Sequence, residues 1–368
     1  MVGLGQISKN GGSSVSMADT YMLNFALLLE GLTLDGGYRV ATLLPRKPQA
    51  TGGNFSQCYV VTTLDGKHAF LKALDFHAAF ANQNDTMRVI EDITTLFNFE
   101  RNLLEECAER RMDRVVRAIA SGTVRVDSGN PFSVVPYLIF EKADSDIRVQ
   151  LDESLGDSLS GKLRALHHVA TGLKQLHSAD IAHQDLKPSN VLVFFVSSLL
   201  TVSKVADLGR ASRAGNPSPY DDHAWAGDPN YAPPEVLYSF LDPDWSKRRI
   251  AADMYMLGGL LSFLFCRTTA VAALFHALPL EFCPSNWNES FEDALPYLQN
   301  AFANTIADFA SSVPEKLREE IVPIYRQLCN PDPRMRGFPG TQINRNALER
   351  YLSSLDLMAS RAKSGRYD

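Results

Sequence analysis

The chain has 368 residues, 45% of them apolar and 21% charged, with a formal net charge of −6. That length and balance fit a two-lobed globular unit or two domains, each with its own core, and the negative charge argues against a general nucleic-acid binder, which needs a basic face. Five cysteines (Cys58, Cys107, Cys266, Cys283, Cys329) lie far apart without a C-x-x-C pair, which suits a reducing compartment, and eight histidines lack the spacing of a zinc site.

Residues 1–17 are Gly/Ser-rich, have no apolar core of secretory type, and read as a disordered leader. Asp19 or Thr20 is a candidate cap for a short helix through Leu29, closed by Gly31. Its apolar residues (Tyr21, Met22, Leu23, Phe25, Leu27 among them) are too many for a free surface helix. Packing on the main body is the favoured reading, with partner docking or a membrane surface as the alternative. From Tyr38 to Asp75 the pattern is strand-like: Tyr38–Leu44, Gln57–Thr63 and His68–Ala73, broken by Pro45, Thr51-Gly52-Gly53 and a hairpin signal at Asp65-Gly66. A helix follows with Ile93, Leu96, Phe97, Leu103, Leu104 and Cys107 as its apolar residues, then strands at Val115–Ala120 and Val134–Phe140. Beyond about Ala143 the pattern turns helical, as in Leu163, Leu166, Val169, Ala170, Leu173 and Leu176 at three-to-four spacing. The greasiest stretch, Met254–Cys266, is too short for a bilayer and reads as a buried core helix. A strand-rich first part and a helical second part predict an α+β fold of two lobes with a cleft between them. The expected division is an N-terminal extension over 1–35, a first lobe over 36–143, a second over 144–355, and a tail over 356–368.

The densest chemistry lies in His183-Gln184-Asp185-Leu186-Lys187-Pro188-Ser189-Asn190. It offers a carboxylate that can accept a proton, an ammonium that can neutralise phosphate, and an amide oxygen that can hold a metal. Asp207-Leu208-Gly209 follows a predicted strand, Val202–Ala206, and the bulky run from Phe194 to Leu200 between the two motifs reads as a hairpin. Lys72 closes the strand Ala69-Phe70-Leu71-Lys72 and in isolation is an ordinary edge lysine. Glu100 falls among apolar helix positions, where a lone buried carboxylate is costly without a cation; an exposed Glu100 is the alternative.

The octapeptide resembles the catalytic loop H-R-D-L-K-P-x-N of eukaryotic-type serine/threonine protein kinases, with glutamine for arginine, and Asp207-Leu208-Gly209 resembles D-F-G. Gly227-Asp228-Pro229-Asn230-Tyr231-Ala232-Pro233-Pro234-Glu235, Asp253 at the start of an apolar helix, and Asp332-Pro333-Arg334-Met335-Arg336 resemble later elements of the same family, in order, between about residues 38 and 355. The resemblance implies a two-lobed kinase fold, ATP and Mg2+ as cofactors, and protein substrates. Asp185 would orient the acceptor hydroxyl and take its proton, and Lys187 would neutralise the transferring phosphoryl. Asn190 and Asp207 would hold the metal. Lys72 would pair with Glu100 and orient the α and β phosphates. Gly52 and Gly53, in a turn resembling the glycine-rich loop, would lie with Cys58 and Leu192 at the nucleotide. Glu141-Lys142-Ala143 aligns with the hinge, so Glu141 and Ala143 would meet adenine through their backbone, behind Phe140 at the gatekeeper position. His183 would be structural, and Arg336 would pair with Glu235.

The departures carry their own expectations. Gln184 removes the arginine that in many relatives clamps a phosphorylated activation segment, so activity should not depend on a phosphate docking there, although Ser212, Ser218 and Tyr220 are available for modification. Asp228 replaces a threonine and adds negative charge near Asp185 and Lys187. Phe70 stands where relatives carry a small alanine against adenine, and Thr51 and Ser56 replace the outer glycines of the loop. The favoured function is transfer of the ATP γ-phosphate to Ser/Thr hydroxyls of proteins by a cytoplasmic enzyme. A small-molecule kinase of similar fold and a non-catalytic kinase-like binding module are the alternatives. No nucleic-acid partner and no membrane span are expected, and the sequence fixes no oligomeric state.

Overall fold

The computed structural model describes residues 24–45, 56–77, 85–127, 129, 133–153, 155–156, 158–197, 200–216, 218–221, 223, 225–339 and 347–367. Two compact units share the chain: residues 1–67, 71–94 and 122–137 form the first, and 68–70, 95–121 and 138–368 the second.

A six-stranded sheet is formed by β1 (Thr33–Leu34), β2 (Tyr38–Leu43), β3 (Ser56–Thr62), β4 (His68–Leu74), β5 (Ala118–Arg125) and β6 (Val134–Glu141), in the order β1-β2-β3-β4-β6-β5, and β1, β2 and β3 lie wholly in the first unit. β2 and β3 pair antiparallel, Arg39 opposite Thr62 and Leu43 opposite Tyr59, with an irregularity between Val40 and Thr42. The predicted hairpin forms at Asp65-Gly66, where Thr63 N donates to Lys67 O at 2.8 Å and Gly66 takes φ +78°, a conformation costly for other residues. Along β3 the side chains alternate, and Tyr59 and Val61 are fully buried.

Of the helix expected before Leu29, residues up to 23 lie outside the described residues, and the remainder is a 3-10 turn, Phe25–Leu27, capped by Asn24. Asn24 accepts from Ala26 N at 3.1 Å, and its amide donates to Asp75 at 2.9 Å. Gln57 donates to the same carboxylate at 2.7 Å, and Tyr59 Oη donates to Ala26 O at 2.6 Å. The turn is thus held on the sheet by buried and part-buried polar bonds, with Ala26 and Leu29 buried beside them.

The second unit is mostly helical. α1 (Thr86–Glu109) contributes its later turns, followed by β7 (Ser145–Asp146), α2 (Ile147–Glu153), α3 (Leu159–His177), β8 (Ile181–Ala182), β9 (Val191–Ser197), β10 (Leu200–Val205) and β11 (Ser212–Arg213). Then come α4 (Pro234–Leu237), α5 (Ala251–Cys266), α6 (Ala270–Ala277), α7 (Phe291–Ser311), α8 (Arg318–Leu328) and α9 (Glu349–Lys363). Ser158 caps α3 by accepting from Gly161 N at 3.1 Å, and Leu163, Leu166, Val169, Leu173 and Leu176 form its buried face. α5 is apolar all round. Its Leu257, Leu260, Leu261 and Leu264 are buried, each a contribution of about 1.5–3 kcal/mol. The 21-residue run Ser246–Cys266 is long and apolar enough to cross a bilayer, but 83% of its apolar window is buried inside the protein, as for a core helix.

The predicted hairpin between the two motifs is β9 and β10, antiparallel with Val191 opposite Val205 and Leu192 opposite Lys204. The strand expected from Val115 begins only at Ala118. Val115 makes an isolated parallel bridge to Val205, and Val116 N donates to Val205 O at 2.8 Å, so these residues serve β10 instead.

Candidate active site

The segment between α3 and β9 is fixed from beneath by one carboxylate. Asp253, in the first turn of α5 and fully buried, accepts from His183 N at 2.7 Å, Gln184 N at 2.9 Å and Gln184 Nε2 at 3.1 Å, with His177 Nε2 at 2.8 Å. Pointing two successive amides at one acceptor requires Gln184 to take φ +65°, and Asp207 is similarly left-handed at +66°. Such residues cost about 1–3 kcal/mol each and persist where surrounding bonds over-determine them. His183 Nδ1 accepts from Asp185 N at 3.2 Å, so its Nε2 carries the proton and donates to Ala206 O at 3.0 Å. The ring therefore ties the 183–190 segment to the end of β10, the structural part expected of it.

Asp185 stands above this support. Its Oδ1 accepts from Asp228 N at 2.8 Å, Lys187 Nζ lies 3.1 Å from Oδ2, and Asn190 Nδ2 donates to both Oδ2 (3.1 Å) and the Asp185 carbonyl (2.8 Å). Burial pushes the Asp185 carboxyl above its ordinary value; Lys187 opposes this, and Asp207 adds to it. Lys187 also lies 3.7 Å from Asp228 Oδ2, and Asp228 caps a short 3-10 turn by accepting from Asn230 N at 3.0 Å. Gly227 passes so close to the loop that a Cβ there would lie 2.2 Å from Gln184 O.

Asp207 follows β10, and Ala206 N donates to Asn190 O at 2.9 Å. A Cβ on Gly209 would meet Asp207 Oδ1 at 3.3 Å and Glu100 Oε2 at 3.6 Å, so both carboxylates approach the same glycine. Glu100 is buried in the second unit, and Lys72 is half-buried on β4 in the first. Cys58 is half-buried on β3, where its carbonyl accepts from Leu44 N at 2.8 Å. Gly52 and Gly53, with Thr51, lie outside the described residues.

Glu141 ends β6 with its side chain engaged: Lys204 Nζ donates to it at 2.7 and 2.8 Å and Arg117 N at 2.8 Å. Ala143 follows, half-buried, before Asp144, whose N donates to Val193 O at 3.0 Å and so joins this stretch to β9 beside Leu192. Phe70 packs its ring 6.2 Å from that of Phe140. Arg336 and Glu235 form the expected pair, two bonds of 2.8 Å, with Arg336 fully buried.

Four participants were not read from the sequence. Arg249 donates from Nη1 to Gln184 Oε1 at 3.3 Å and lies 3.5 Å from Asp221. Arg213 makes a two-bond ion pair with Glu106 of α1. Arg249 stands four residues before Asp253, one helical turn away, and that spacing is the one local signal it offered.

Among the described residues no group of three or more His, Cys, Asp or Glu side chains stands ready to hold a metal alone. The oxygen donors Asp207 and Asn190 nevertheless suit Mg2+, which takes one or two carboxylates and completes its shell with phosphate and water. The mutual repulsion of Asp185 and Asp207 is what a shared cation would relieve.

The Asp–Lys–Asn loop backed by a buried aspartate has the residue types that phosphoryl transfer uses. The protein kinase domain model matches residues 52–342, and the chain belongs to that family. It is 27% identical over 167 residues to "Mitogen-activated protein kinase 4a" of Physcomitrium patens, covering 45% of this chain and 39% of that protein. It is also 27% identical over 217 residues to "Extracellular signal-regulated kinase 1" of Dictyostelium discoideum, covering 57% and 35%. A shorter stretch of 72 residues is 42% identical to "Inactive serine/threonine-protein kinase PLK5" of Mus musculus, covering 20% and 11%. The matched region spans less than half the length of each of these proteins.

Proposed function

We propose that the chain is an ATP- and Mg2+-dependent serine/threonine protein kinase. The observation that carries this reading is Asp185, a buried carboxylate with raised proton affinity, held between Lys187, Asn190 and the Asp228 amide. In the proposed step an acceptor Ser or Thr hydroxyl attacks the γ-phosphorus of ATP. The new O–P bond forms as the bond to the ADP oxygen breaks, and the hydroxyl proton passes to Asp185. Lys187 offsets the charge spreading over the transferring group. Mg2+, when bound, would neutralise phosphate oxygens, and Asn190 and Asp207 are the residues that would hold it. Lys72, Glu100, Cys58, Leu192 and the backbone of Glu141 and Ala143 would receive the nucleotide. Protein hydroxyls are the proposed substrates, and five free cysteines support a reducing, cytoplasmic setting.

A non-catalytic binding module is the competing reading, motivated by the Phe70–Phe140 contact, which sets bulk where relatives carry alanine, and by similarity to a protein named inactive. Incubating the full chain with Mg-ATP beside Asp185→Ala, followed by mass spectrometry of phosphosites, separates the two. Phosphoserine or phosphothreonine formed by the wild type alone supports the kinase; ATP binding without transfer supports the module.

A further inference from the structure

Gln184 removes the loop's arginine, but a guanidinium still reaches this place. Arg249, 2% exposed, donates from Nη1 to Gln184 Oε1 at 3.3 Å and from Nη2 to the Asp221 carbonyl at 3.4 Å, while Gln184 Nε2 donates back to Arg249 O at 2.8 Å. A buried arginine needs a counter-charge, and its Nε has no hydrogen-bond partner. Two carboxylates face it, Asp221 and Asp253, and Asp221 lies 3.5 Å from Nη2.

Asp221 in turn gathers the segment after Asp207. Its Oδ1 accepts from Ser212 Oγ at 2.7 Å and its Oδ2 from Ser218 N at 2.8 Å. Ser212 Oγ accepts from Trp245 Nε1 at 2.9 Å, and Ser218 Oγ accepts from Arg213 N at 3.0 Å. The hydroxyls of Ser212 and Ser218 are therefore buried and used, and the Tyr220 ring lies under Arg210 at 4.3 Å. A phosphate on Ser212 would set a second anion against Asp221 and break this arrangement.

We propose that Asp221 and Arg249 are a built-in anchor that takes the part of a segment phosphate, positioning Gln184 and hence the Asp185 loop without any modification. This rests on the kinase reading above and names its regulation: the enzyme is active as synthesised, and phosphate on Ser212 or Ser218 lowers activity. Both residues are positioning residues, since neither touches the reacting atoms.

The test uses the full chain, freed of phosphate by phosphatase and checked by mass spectrometry, with ADP release from Mg-ATP as the rate. Unphosphorylated wild type turns over. Asp221→Asn loses about tenfold in kcat, the loss of one charge-assisted bond, with the KM for ATP unchanged, and Asp221→Glu restores most of it. Amide exchange at Ser218 quickens in Asp221→Asn. Asp221→Asn paired with Arg249→Gln removes both charges of the pair together, and it shows the same loss. A wild type that turns over only after segment phosphorylation, or variants with wild-type kcat and exchange, overturns the anchor. If no preparation releases ADP, the kinase reading fails, and unchanged exchange at Ser218 would still refute the anchor by itself.

Discussion

Two buried ion pairs in the helical unit are built from the same charges to opposite ends. Arg336 and Glu235 face each other with two bonds of 2.8 Å, and the guanidinium spends its remaining donors on Asn330 O and Ala251 O beneath the Tyr255 ring. Every polar atom has a partner, so the pair locks α4 to the start of α5 and can do no chemistry. Lys187 and Asp185 are nearly as buried, but their contact is longer, at 3.1 Å, and the lysine is divided between two carboxylates. The backbone on either side is left-handed at Gln184 and Asp207. A closed pair stabilises; in the proposed mechanism the open, strained pair is the one that meets a substrate.

The difference can be broken from the structural side first. Glu235→Gln leaves Arg336 buried without a counter-charge and should lose about 3–5 kcal/mol of stability, measured by urea unfolding. A loss under 1 kcal/mol would mean the pair is not the lock described. Gly227→Ala drives a Cβ into the Gln184 carbonyl and displaces the Asp228 amide from Asp185. Phosphate transfer should fall about a hundredfold, and an unaffected rate would remove Gly227 from the site. Asp228→Ala deletes the cap on the 229–231 turn and should cost about 1 kcal/mol in thermal unfolding.

The finest test is titration. Burial raises the Asp185 pKa, so Asp185 should protonate, and lose its power to accept a proton, at a pH above the ordinary 3.8. Carboxyl NMR without Mg2+ should show this, and Asp207→Asn should lower the value because Asp207 contributes to raising it. A midpoint at or below 3.8 in the wild type would contradict the geometry.

Much of this was legible because the proposed catalytic residues are local in sequence. Asp185, Lys187 and Asn190 occupy one loop, and the hairpin β9–β10 that sets Asp207 beside them shows as two apolar runs. The Glu235–Arg336 pair spans a hundred residues and was reached only through family resemblance. Arg249 and Asp221 were not legible, since a charged run before α5 and an aspartate in a polar loop look solvated until the fold brings them together. The N-terminal turn misled for a related reason: its apolar residues suggested a helix, but Asn24, Tyr59 and Asp75 fix the described part as a 3-10 turn through side-chain bonds that no periodicity reveals.

In the proposed mechanism Asp185 serves transfer and not the fold. Asp185→Asn should keep the wild-type unfolding midpoint within about 2 °C while phosphate transfer from Mg-ATP falls by about 10²–10⁴. Transfer that persists in Asp185→Asn, or that declines only in step with a lowered midpoint, would contradict it.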